Sequence, residues 1–158
     1  MLIFFDFDGT LSAPRFPKPG SDGTEFVNGL TEQDWKHYHE TNREHTFDYC
    51  IPVGPVRRYA IRKKEEGHRL FVLTRTISDS ENVGKKAFLE RCYPGIFEEY
   101  ISVDHDGDKI PVIKKYAEKL ACPLEKCELV EDTYGLVLKA LSAGMAGTHV
   151  SNIIVMEE

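Results

Sequence analysis

The stretch Leu2-Ile3-Phe4-Phe5-Asp6-Phe7-Asp8-Gly9-Thr10 decides the fold. From Leu2 to Phe7 it is apolar except for Asp6, and the apolar positions follow no helical period. Such a run reads as a strand buried on both faces, the kind found in parallel sheets. It then delivers two carboxylates, Asp6 and Asp8, and turns at Gly9.

Working outward, Leu70–Leu73 repeats the pattern and ends in Thr74, and Tyr100–Val103 reads as a third short strand. Glu128–Val130 is a fourth, ending at Glu131 and Asp132, and Gly147–Val150 supplies a fifth. Helical spacing falls between them, over Thr31–Asn42, Pro55–Glu66, Val83–Cys92, Ile110–Leu120 and Leu136–Ala143. Gly67 and Gly144 follow two of these segments where helix-closing glycines belong. Strands alternating with helices predict an α/β fold, a Rossmann-like parallel sheet with helices on both faces. One domain over residues 1–158 is expected.

The break in this alternation is residues 12–50, an insertion after the first strand with the size of a small cap or lid. Ser12–Leu30 contains Pro14, Pro17, Pro19, Gly20, Gly23 and Gly29, and reads as an irregular surface loop. The insertion also carries Phe16, Phe26, Trp35, Tyr38, Phe47 and Tyr49. Packing against the domain is the favoured role for these aromatics, with stacking on a base or sugar the alternative.

The 158 residues are 41% hydrophobic and 29% charged, a balance that suits a folded soluble domain with its own core. The opening apolar run, Met1–Phe5, is too short for a signal peptide or membrane span, so a cytoplasmic protein without membrane contact is expected. A net charge of −6 argues against broad attraction to nucleic acid. A phosphorylated substrate would have to be held by local cations and backbone amides. Cys50, Cys92, Cys122 and Cys127 lack paired metal-site spacing and read as free thiols.

Polar residues gather at the predicted strand ends: Asp6 and Asp8, then Thr74, then Glu131 and Asp132. Adjacent carboxylates repel and tend to protonate unless a cation neutralises them. A hard cation with oxygen ligands answers that problem, and Mg²⁺ suits a site with few carboxylates and several waters.

These residues resemble the motifs of the haloacid dehalogenase (HAD) superfamily. Asp6-Phe7-Asp8-Gly9-Thr10 is similar to the first motif, Thr74 to the second, Lys109 to the third, and Val130-Glu131-Asp132-Thr133 with Ala143-Gly144-Met145 to the fourth. They occur in the family's order and span nearly the whole chain. The resemblance implies a phosphatase in which Asp6 is the nucleophile and Asp8 the general acid and base. It further implies Thr74 and Lys109 as catalytic and phosphate-holding groups, joined in substrate binding by Thr10 and Arg75. Asp6, Asp8 (through its backbone carbonyl), Glu131 and Asp132 would hold Mg²⁺. An acid at position 8 separates phosphatases and phosphomutases from dehalogenases in this family. The substrate class implied is a phosphomonoester such as a nucleotide or sugar phosphate. The alternatives are a phosphatase of nucleic-acid ends, a phosphomutase, or a non-catalytic protein that senses phosphate or metal.

Three other signals carry less. Asp104, Asp106 and Asp108 alternate like a calcium loop, but Lys109 and Lys115 stand where such a loop needs Gly and Glu. His37, His39 and His45 cluster without a zinc-binding spacing, and read as exposed or substrate-facing. The basic run Arg57–Lys64 reads as a solvated helix face.

Overall fold

A computed structural model describes residues 1–157. In chain order its strands are β1 (Leu2–Phe5), β2 (Ser12–Ala13), β3 (Phe16–Pro17), β4 (Phe26–Val27), β5 (Ile51–Pro52), β6 (Arg69–Arg75), β7 (Glu99–Val103), β8 (Cys127–Glu131) and β9 (Ala146–His149). Its α-helices are α1 (Glu32–Asn42), α2 (Gly54–Glu65), α3 (Asp79–Cys92), α4 (Lys109–Lys119), α5 (Tyr134–Ser142) and α6 (Val150–Met156).

Five strands form the central sheet in the order β7-β6-β1-β8-β9, and every neighbouring pair is parallel. Alternation along β1 divides the core into two. Ile3 and Phe5 pack on one face with Val56 and Ala60 of α2, Phe88 of α3 and Ile153 of α6. Leu2 and Phe4 pack on the other with Ile113 and Ala117 of α4 and Leu136 and Ala140 of α5. The expected α/β fold with helices on both faces is therefore present. After β1 the chain adds β6 and β7 on one side, then returns to place β8 on the other. β1 and β8 thus flank the point where strand order reverses, and ligand sites in such sheets lie beyond the carboxyl ends there.

The insertion between β1 and α2 differs from a structureless loop. β2 pairs antiparallel with β5, and β3 with β4, so Ser12–Leu30 holds one short ladder and one strand of another. Each is only two residues long, which lets Pro17 and Pro52 take part without breaking a longer row of hydrogen bonds. Phe47 reaches the main core and meets Phe7 with ring centroids 5.4 Å apart, while Tyr93 donates to Leu11 O at 2.7 Å. At Gly84 of α3, a Cβ would sit 2.9 Å from Glu44 O and 3.0 Å from Phe47 Cδ2, so the small residue permits this close approach. Aromatic packing is therefore what Phe16 and Phe47 do, both being buried. A final departure lies at the C-terminus, where α6 follows β9 directly.

Candidate active site

Asp6 follows β1, and its N–H still bonds Val130 O of β8 at 2.9 Å, so the extended chain carries its carboxylate out between the two central strands. Gly9 then reverses the chain with φ +75°. A Cβ on Gly9 would overlap Asp132 Oδ2, so glycine there allows the first and fourth motif loops to touch.

Asp6 is 6% exposed and accepts from Lys109 Nζ at 2.8 Å through Oδ1 and, weakly, from Thr10 Oγ1 at 3.4 Å through Oδ2. Lys109, the first residue of α4, is itself buried and also donates to Glu131 Oε2 at 2.9 Å. Carboxylate oxygens of Asp6, Glu131 and Asp132 lie within 4.8 Å of one another. Glu131 is the most committed of the three: Oε1 accepts from the N–H groups of Asp132 and Thr133 at 3.1 and 3.2 Å. On the far side, His149 Nε2 lies 2.9 Å from Asp132 O, while its Nδ1 accepts from Ser151 N at 3.2 Å. That pair of contacts requires the Nε2–H tautomer, which fixes the loop backbone at Asp132.

The crowding shows in the acid strengths. Burial, opposed by Lys109 and assisted by Glu131 and Asp8, pushes Asp6 up to about 7. Burial raises Glu131 as well, against the pull of Lys109, and raises Asp132 with help from Asp6. Lys109 moves upward because Asp6 and Glu131 outweigh the burial that disfavours its charge. Asp6, Glu131 and Asp132 are short of positive charge, with Lys109 the one buried lysine among these three carboxylates. A divalent cation fits the donor set in both chemistry and spacing.

A cavity of about 450 Å³ opens over these groups, lined by Asp6, Asp8, Thr74, Lys109 and Asp132 on its floor. Arg75, Ile77 and Asp106 add to its wall, and the insertion contributes Glu32, Trp35 and Lys36 from α1. The volume is that of a small-molecule site. The sequence-predicted residues Asp6, Asp8, Thr74, Arg75, Lys109, Glu131 and Asp132 thus meet at one place. Thr10, expected to bind substrate, does not line the cavity: it is fully buried and touches Asp6 from behind.

Two further corrections concern the histidines and a lysine. His39 is buried rather than exposed or facing substrate, with Nδ1 2.8 Å from Thr46 Oγ1 and Nε2 2.8 Å from Ser78 Oγ. Lys85 and Glu81 were missed altogether. They are a buried pair on α3 with Nζ 3.1 Å from Oε1, and Lys85 Nζ donates to Asp8 Oδ2 at 2.9 Å. The signal was the i, i+4 spacing of Glu81 and Lys85, with Phe88 three residues further on the same apolar face. That face becomes visible once the helix is begun at Asp79, behind the Ser78 cap, instead of at Val83.

No protein-family model matches the sequence, and no curated protein matches it. Solved structures do. CbbY from Rhodobacter sphaeroides, solved with xylulose-(1,5)bisphosphate, superposes with a TM-score of 0.62 at 16% identity, covering 94% of this chain and 84% of that one. Solved hydrolases of the HAD superfamily have this fold. A HAD-family enzyme from Bacteroides thetaiotaomicron, solved with magnesium and inorganic phosphate, gives a TM-score of 0.58 at 8% identity, covering 94% of this chain and 92% of the other. A protein from Lactobacillus delbrueckii, assigned as a phosphoglycolate phosphatase, gives 0.51 at 14% identity over 83% of this chain. This HAD-fold chain spans 56% of that protein's length. Among the described residues no helix is long and apolar enough to cross a membrane.

Proposed function

We propose that this protein is a Mg²⁺-dependent phosphomonoester hydrolase working through a phosphoryl group carried on Asp6. The observation that carries the reading is the buried Asp6 carboxylate, held 2.8 Å from Lys109 Nζ and within 4.8 Å of Asp132, at the floor of a small-molecule cavity. The HAD fold, shared with structures solved with phosphate or a sugar bisphosphate, supports the same reading.

The roles follow from the surroundings of each group. Asp6 attacks phosphorus while Asp8 gives a proton to the departing oxygen, so the P–O bond breaks as the Asp6–phosphorus bond forms. Asp8 then takes a proton from water, which attacks the phosphorylated Asp6 and releases inorganic phosphate. Thr74 and Lys109 hold the non-bridging oxygens, and Lys109 adds positive charge where negative charge shifts. Asp6 and Asp132 would hold Mg²⁺ directly with the Asp8 carbonyl. Glu131, already accepting three hydrogen bonds, anchors Lys109 and the loop. The metal, when bound, neutralises carboxylates that would otherwise repel an anionic substrate. Helix α1 of the insertion acts as a lid segment, presenting Trp35 and Lys36 to the non-reacting part of a small phosphorylated metabolite.

The test is phosphate release from an aryl phosphate and a panel of metabolite phosphomonoesters, with Mg²⁺ or with EDTA. Mg²⁺-dependent release by the native protein, abolished in Asp6→Asn, is the expected result. Trapped native protein should gain the mass of one phosphoryl group at Asp6. Release that survives Asp6→Asn would overturn the covalent mechanism, and none on any compound would overturn the assignment as a general phosphatase.

A further inference from the structure

Asp8 has a dedicated partner outside the four motifs. Its side chain is 57% exposed to the cavity, yet Oδ2 accepts from Lys85 Nζ, which is completely buried. The same ammonium lies 3.0 Å from Thr74 Oγ1, 3.0 Å from Arg75 O and 3.1 Å from Glu81 Oε1. Glu81 is held in turn by Ile77 N, which donates to Oε2 at 2.8 Å. Phe7 and Phe47 close the other side, with ring centroids 5.1 and 5.7 Å from Nζ. Lys85 therefore has no route to substrate. Its contacts run to the side chains of Asp8 and Thr74 and to the backbone that follows Thr74.

Stability alone does not account for this arrangement. A buried ion pair is commonly matched or bettered by apolar residues of similar volume, because taking both charges from water offsets their attraction. Residues 81 and 85 lie on the face of α3 that carries buried Phe88, where such residues would pack. What an apolar pair would not supply is a fixed donor to one oxygen of Asp8. No hydrogen bond reaches Asp8 Oδ1 among the described residues, so the clamp holds the carboxylate by one oxygen and leaves the other toward the cavity.

We infer that Lys85, oriented by Glu81, is a positioning residue that holds Asp8 in the rotamer from which it exchanges protons with the leaving group and with water. This deepens the phosphatase reading and rests on it. Proton transfer requires hydrogen-bond reach to the reacting oxygen, so an untethered Asp8 spends much of its time out of range.

The experiment separates positioning from general damage by leaving-group chemistry. kcat/KM reports events up to phosphoryl transfer to Asp6, where a primary alkyl phosphate needs a proton on its departing oxygen and 4-nitrophenyl phosphate scarcely does. With saturating Mg²⁺, Lys85→Met should lower kcat/KM for the alkyl phosphate about 100-fold, the lower end for loss of a general acid, and for the aryl phosphate less than about fivefold. Because Lys85→Met leaves Glu81 buried without its partner, the double variant Glu81→Gln/Lys85→Met is measured beside it and should show the same split. Adding Lys85→Met to Asp8→Asn should cost little more than Asp8→Asn alone, since both remove one function. Equal losses on the two substrates, or additive losses with Asp8→Asn, would overturn the inference while leaving the phosphatase reading intact. Absence of turnover in the native protein would overturn the phosphatase reading first, and this inference with it.

Discussion

Mg²⁺ affinity should depend on pH in a way that Asp6 sets. Its carboxyl is raised from an ordinary 3.8 to about 7, burial being the largest cause. Mg²⁺ requires the carboxylate, so binding must displace any proton present. At about one pH unit below that value, only about one molecule in eleven carries the carboxylate, and the apparent Kd rises about tenfold, or ~1.4 kcal/mol. Titration calorimetry with MgCl₂ at about pH 8, 7 and 6 should therefore show a Kd nearly flat at the top and steepening below neutrality. Glu131 and Asp132 are raised as well, which adds to the slope. Stability follows with its sign fixed: the folded protein holds a proton on Asp6 between about pH 4 and 7 that the unfolded chain has released. Metal-free stability from this group is thus complete below about 4 and lost as pH rises through 7, so the Mg²⁺-induced rise in Tm should be larger at pH 8 than at pH 6. An affinity independent of pH across that interval, or an undiminished slope in Asp6→Asn, would refute the reasoning.

Three other outcomes are expected. Lys109→Met leaves Asp6 and Glu131 buried without their shared cation, a loss of about 3–5 kcal/mol for a broken buried pair, visible as a lowered Tm without Mg²⁺ and abolished turnover. Gly9→Ala places a methyl group against Asp132 Oδ2 at a φ of +75°, so calorimetry should show Mg²⁺ affinity falling at least tenfold; unchanged affinity would remove Asp132 from the metal's ligands. Gly84→Ala crowds Glu44 O and Phe47, and chemical denaturation should show a loss of about 1–3 kcal/mol, since overpacking strains a filled interface.

The parts of the fold that were legible in sequence carry their signal locally. β1 and β6 are apolar runs ending in polar residues, β8 is a shorter one interrupted by Glu128, and the site acids sit at the ends of β1 and β8, so one reading places both. What escaped depends on distant partners. The ladders β2–β5 and β3–β4 are two-residue pairings between segments rich in Pro and Gly, held by packing of Phe16, Phe47 and Cys50 on the main core. Val150 read as the end of the fifth strand, Gly147–Val150, but it begins helix α6, whose Val150 and Ile153 turn inward against the α2 side only in three dimensions. His39 read as exposed or substrate-facing because its clustering with His37 and His45 lacks a metal-site spacing, whereas in the fold Trp35 stacks on its ring at 5.0 Å and Thr46 and Ser78 take its two nitrogens.

The site's two aspartates, two residues apart, are set in different surroundings by two buried lysines. Asp6, which on the proposed mechanism attacks phosphorus once a cation offsets its crowding, is enclosed and shares Lys109 with Glu131. Asp8 is the more exposed of the two in the same cavity and meets Lys85, whose charge is shared with Glu81. Identical side chains given opposed environments can take opposed parts in one reaction. Each lysine joins a carboxylate from the loop after β1 to a second buried one, from the β8 end (Glu131) or from α3 (Glu81). The two roles are therefore tied to different walls of the fold. Lys109 and Glu131 reach Asp6 from the α4 and β8 side, while Lys85 and Glu81 reach Asp8 from α3, the helix on which the insertion rests at Gly84. The insertion touches both sides of this arrangement, since Phe47 meets α3 at Gly84 and also Phe7, the residue between the two aspartates.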